Sequence, residues 1–277
     1  MPDWDTRFIH HSPLFEVLRE HRVCGGVLRG VSWPALADLQ ALLDTQGVVS
    51  GGGQPLRLAP QGARAGAVED RYEARIFREG ELQLRAHNWH DLFNLLAWLA
   101  FPLTKAALNA RHYHALLEQQ SRGTLNRGPA QDALTLFDES GVIVASSDAE
   151  LLDDVSHFAW KRLFWQRRDR VEKYLRCLIV GHALYEKARH PFAGITGRAV
   201  LFDVDVEFHT WALDRQLQTL DLRLAQRVEE GVSFQTTRTL APLPLLGMPG
   251  WWPENTAESF YDNTAYFRPG RRQGRVA

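Results

Sequence analysis

Pro102 sets the tightest constraint on this chain. It interrupts residues 87–117, HNWHDLFNLLAWLAFPLTKAALNARHYHALL, which hold the longest apolar run in the sequence. Proline has no amide donor and its ring clashes with the preceding turn, so no straight helix passes through it. The spacing predicts two helices instead. Asn88 caps the first, which starts near Trp89, and Leu92, Leu95, Leu96, Leu99 and Ala100 form its apolar face. The second covers 103–119.

Each helix also carries a polar stripe. His90 and Asn94 lie four apart, and Asp91 occupies the first turn, where its charge suits the helix dipole. Lys105, Asn109 and His112 follow the i, i+4, i+7 rule on the second helix. If the stripes face one pocket, His90 and Asp91 are acid–base groups or metal ligands, and Lys105, Asn109 and His112 contact a ligand, Lys105 through an anion. The competing reading makes the asparagines packing groups and leaves Lys105 and His112 in solvent. Neither HExxH nor another named metal signature occurs here.

A second concentration of chemistry lies in LRCLIVGHALYEK. Residues 175–180 read as a buried strand, Gly181 as a tight turn, and His182 as the start of a short helix through Ala188. His182 and Glu186 share a helix face, and such strand-to-helix turns often bind anions. Convergence of the two histidine-led helix starts would assemble His90, Asp91, Asn94, His182 and Glu186 as a catalytic set. A divalent metal ion could then sit on His90, Asp91 and His182.

The remaining chain alternates short elements. Residues 12–21 read as a helix capped by Ser12, and 33–45 as another, following Ser32. The SGGGQ turn at 50–54 is not a phosphate loop, because no Lys-Ser/Thr follows it. Residues 72–77 and 82–86 read as a β-hairpin about REGE, and 134–137 with 142–145 as a second about DESG. Asp132, before that second hairpin, fits a turn-capping aspartate better than one that points into a pocket. Ser147 and Glu150 form a capping box for a helix to about Trp165. Residues 195–206 read as a strand whose Asp203 and Asp205 face solvent, and 210–229 as an amphipathic helix closed by Gly231. From Pro242 the chain is irregular but rich in rings. That composition suggests an ordered segment that covers either core or a pocket mouth, and whose Trp251 and Trp252 are candidates to dock a ligand or protein.

Composition narrows the function classes. A net charge of −1 argues against a dedicated nonspecific nucleic-acid binder. Two distant cysteines suit a reducing, cytoplasmic setting rather than a disulfide scaffold or zinc ribbon. Nothing in the sequence reads as a secretory signal or membrane span. The expected architecture is α+β: one globular domain over 1–277, with a mixed, mostly antiparallel sheet, packed helices, and a frayed basic tail at 270–277. Hairpins and helix pairs without a βαβ rhythm argue against a doubly wound sheet. Oligomeric state is not legible in the sequence.

Taken together, NWHDLFN with FPLTKAALN, GPAQDALTLFDE, GHALYEK with GIT, and PLLGMPGWW with FYDNTAYFRP resemble a bacterial family, the domain-of-unknown-function family numbered 3025. The resemblance spans roughly residues 30–270. It implies one intracellular bacterial domain and brings no mechanism with it. The residues themselves suggest a hydrolase, metal-assisted or not, acting on a small phosphorylated or nucleotide-like ligand. The alternative is a non-catalytic binding domain that uses the aromatic C-terminal segment.

Overall fold

The computed structural model describes residues 4–60, 71–123 and 126–270, without the side chains of residues 22, 23 and 25. The expected basic tail lies, from residue 271 onward, outside the described residues. Ser12 accepts a hydrogen bond from the Leu14 amide and opens a 3-10 turn that leads into α1 (Glu16–Glu20) and α2 (Arg22–Leu28). α3 (Leu36–Gln46) stops at Gly47, which is left-handed, and its N-cap is Ala35 rather than Ser32. β1 (Arg57–Ala59) pairs in parallel with β2 (Glu81–Gln83). Between them runs α4 (Tyr72–Glu79), where the sequence suggested a hairpin strand.

The proline-linked pair follows, as α5 (Trp89–Ala100) and α6 (Pro102–Ser121). Asn88 caps α5 through the Asp91 amide. Pro102 stands at the start of α6, where its missing donor is no loss. The next two amides are satisfied from far away in sequence: Leu103 and Thr104 donate to Asp221 at 3.0 and 2.8 Å. That aspartate belongs to α11 (Leu213–Glu230), which is thereby tied to α6.

Between α6 and α11 the chain builds the main sheet. α7 (Pro129–Ser140) leads into β3 (Gly141–Ser146), then α8 (Ala149–Ser156), α9 (Arg168–Tyr174), β4 (Leu175–Ile179), α10 (His182–Ala188) and β5 (Thr196–Asp203). β6 (Ala241–Pro244) completes the order β4-β3-β5-β6. The β3–β4 and β5–β6 pairs are antiparallel and β3–β5 is parallel. The fold is thus α+β with a mixed, mostly antiparallel sheet. Every residue of β3 is buried, which requires cover on both faces, and α7 and α8 both pack against it. The two prolines of β6 sit on the sheet edge, where a missing donor is tolerated.

Two strand expectations fail for one reason. The stretches at 72–77 and 134–137 alternate polar and apolar residues, and short alternating runs fit either period. In α4, Ala74, Arg75 and Ile76 are buried together, and the left-handed Gly80 closes the helix. In α7, Ala133, Leu134 and Phe137 form the inward face. The expected helix from Ser147 to Trp165 also ends early, at Ser156, and its cap is Asp148.

The C-terminal rings pack mostly inward. Tyr261, Tyr266 and Phe267 are buried, and the Tyr266 hydroxyl donates to the Ile195 carbonyl at 2.7 Å. Buried Asn255 donates to the carbonyls of Leu246 and Met248. Among the described residues, no helix is long and apolar enough to cross a membrane.

Candidate functional site

A cleft of about 570 Å³ opens where α4, α5, α6, α7 and α10 meet. Its approach is set by a close backbone contact. A Cβ on Gly181 would lie 2.4 Å from the Gly141 amide nitrogen, so only glycine lets the start of α10 touch the α7–β3 junction. The Val180 and Gly181 amides both donate to the Gly141 carbonyl there. This contact delivers His182 to the cleft floor beside Asp138 of α7, with Oδ2 3.7 Å from His182 Nδ1.

His90, at the start of α5, reaches the same place. Its Nε2 is 3.1 Å from His182 Nε2, and its Nδ1 is 3.1 Å from Glu186 Oε2. The two imidazoles meet edge to face, with centroids 4.6 Å apart. Their tautomers follow from their partners. A carboxylate only accepts, so His90 carries its proton on Nδ1. In the neutral ring Nε2 then holds a lone pair, and His182 donates to it through Nε2–H. That leaves His182 Nδ1 as a buried acceptor, and among the described residues it has no hydrogen-bond partner.

Burial decides the charge of His182. Burial pulls the pKa of His182 down to about 4; Asp138 opposes that, while Lys105 and His90 reinforce it. His182 is therefore a neutral donor near pH 7. Its side chain is 7% exposed, against 40% for His90. Asp138 stays ionised: burial would raise its carboxyl, but the Lys105 ammonium beside it outweighs that and holds it below the usual range.

Beneath the histidines lies a polar chain. Lys105 pairs with Asp138 and donates to Asn94 Oδ1 at 2.9 Å, and Asn94 donates to the Tyr72 hydroxyl at 2.7 Å.

This geometry revises several sequence-based assignments. Lys105 is 4% exposed and fully engaged, so it braces Asp138 instead of contacting an anion. Asp91 lines the cleft, but both its oxygens accept from Arg85 at 2.8 Å, which holds its carboxyl low against the effect of burial. It is not free to share a metal with His90 and His182. Among the described residues, no three His, Cys, Asp or Glu side chains are grouped to hold a metal ion. Asn109 is structural: it accepts from the Gly51 amide and donates to Glu73. Asp132 is exposed on the first turn of α7 and does not line the cleft. Trp251 and Trp252 do not line it either; they are half-buried against the core.

His112 does reach the cleft. It is 7% exposed, and its side chain makes no hydrogen bond among the described residues. Arg71 and Arg127 also line the walls, and neither has a carboxylate partner among the described residues. Across from His112, α7 presents Gln131, Thr135 and Asp138, and Gln119 bonds Gln131 at the far end. Sequence reasoning missed Arg71, Tyr72, Arg85, Arg127 and Asp138. The stripe of Gln131, Thr135 and Asp138 at helical spacing was readable, but not once that segment was taken as a hairpin.

Neither the curated proteins nor the solved structures hold a match to this chain. Over residues 56–271 the sequence matches the family described as Protein of unknown function (DUF3025), and the chain belongs to that family.

Proposed function

We propose that this cleft is the active site of a hydrolase acting on a small phosphate ester, with His90 as general base and His182 as a neutral hydrogen-bond donor. The observation that carries the reading is the double grip on His90. Glu186 orients its Nδ1–H, and its Nε2 lone pair points at the one donor nitrogen of a buried imidazole. A carboxylate behind a partly exposed histidine is the arrangement that activates water. A neutral imidazole whose pKa is depressed is suited to bonding an oxygen that gains negative charge.

In the reaction, the ester's phosphoryl oxygen takes the His182 Nε2–H bond now given to His90. His90 Nε2, released, removes a proton from water as the water oxygen bonds to phosphorus. The bond to the leaving oxygen breaks, and His90 returns the proton to that oxygen. Arg71, Arg127 and His112 hold the remaining phosphate oxygens. The step uses only side chains of this chain and one water. The aromatic C-terminal segment, packed as it is against the core, gives little support to the binding-domain alternative. Buried, unpaired Cys24 and Cys177 support a reducing, cytoplasmic location. One continuous core supports treating the chain as a single domain.

The test is hydrolysis of 4-nitrophenyl phosphate and bis(4-nitrophenyl) phosphate by the purified chain. Turnover of either is expected, falling about 100-fold or more in His90→Gln. Turnover that His90→Gln leaves intact, or none with either ester, would defeat the proposal.

A further inference from the structure

A second hollow adjoins the polar cleft. Its volume is about 300 Å³, and Trp33, Leu36, Leu39, Leu84 and Leu92 give it an apolar lining. The chain leading from β2 to α5 is the partition between the two. Gln83 lines the polar cleft, Leu84 lines the apolar hollow, and Arg85 borders both. Adjacent side chains of extended backbone point to opposite sides, so this segment serves two surfaces at once.

At the end of the partition His87 has φ 56°, a left-handed conformation uncommon for a residue with a side chain. Its ring stands 5.5 Å from that of Trp33, so part of the lining is flat and aromatic. Leu36 is 43% exposed at the same hollow, an apolar side chain left open to water. Arg85 is fixed at the border by its bonds to Asp91.

We infer that the apolar hollow takes a planar aromatic group carried by the same ester whose phosphate occupies the cleft, with the ester linkage passing over Arg85. The inference rests on the reading of the cleft given above. Three features select this occupant. The hollow is of a size for one or two fused rings. Its walls favour ring stacking over hydrogen bonding. Its shared border with an arginine-lined cleft calls for a molecule with one anionic end and one apolar end.

The experiment compares binding of two phosphonates that cannot be hydrolysed, 1-naphthylmethylphosphonate and methylphosphonate, to the full chain by calorimetry. Burial of the ring predicts that the naphthyl compound binds about tenfold tighter or better. Leu36→Asp places a charge in the hollow and Leu36→Trp fills it. Both are expected to remove the preference while methylphosphonate affinity stays unchanged. Equal affinity of the native chain for the two compounds, or a preference that survives both substitutions, would overturn the aromatic subsite alone. If neither phosphonate binds, the polar cleft itself has been misread and the subsite falls with it.

Discussion

His182 links the chemistry of the cleft to the stability of the protein. Its pKa is pulled down to about 4 in the folded chain and returns to about 6.5 on unfolding. Between these values the unfolded chain binds a proton that the native chain refuses. Stability attributable to this residue is therefore intact above pH 6.5 and declines as the pH falls toward 4. The loss is on the order of 3 kcal/mol. Urea denaturation at pH 7 and pH 5 should show about 2 kcal/mol of it, and His182→Gln should flatten the dependence. An unchanged pH profile in the variant would mean that His182 is not held neutral by burial. The same scale explains why the partners of Lys105 were not legible. Sequence placed it on a polar helix face, but an ammonium cannot be buried without a counter-ion. Its counter-ion, Asp138, lies in a segment whose structure the sequence left ambiguous.

Among the elements, the α7–β3–α10 junction does the positioning. Gly181 is there because any Cβ would collide with the backbone at Gly141, and that contact sets the distance between His182 and Asp138. Gly181→Ala should force the two backbones apart, lowering stability by about 1–3 kcal/mol. Because small misplacements are costly in catalysis, activity should fall about tenfold or more even in the fraction that folds. Assaying the variant well below its melting temperature separates the two effects, and full activity there would show that the close approach is not needed. Helix starts and stops were legible where local chemistry dictates them: Asn88 before α5, Pro102 opening α6 and Gly231 closing α11. The segments 72–77 and 134–137 were not, since four to six alternating residues satisfy strand and helix alike. The boundary signals that could have decided for helix were present, in Gly80 after α4 and Pro129 at the start of α7.

For the whole molecule, the α+β class followed from interspersed helices and strands without a regular crossover rhythm. The sheet order did not, because β6 joins β5 from far along the chain and pairs through a proline-containing edge. The meeting of His90 and His182, 92 positions apart, was open to conjecture only as two similar helix starts. Bringing them together takes the α5–α10 packing and the tight turn at Gly181. For the tryptophan-bearing segment the sequence left core cover and a pocket roof equally open. Its rings find burial against the core, which satisfies their apolar surface without any ligand.

The central claim is that His90 and His182 act as one unit. The direct measurement is a double-mutant cycle on phosphate-ester hydrolysis, using His90→Gln, His182→Gln and the combined variant, with folding checked by circular dichroism. Each single substitution is expected to lower kcat by about 100-fold or more, and the pair together by little further, as for groups that serve one step. Independent, additive losses, or a single variant that retains native turnover, would contradict it.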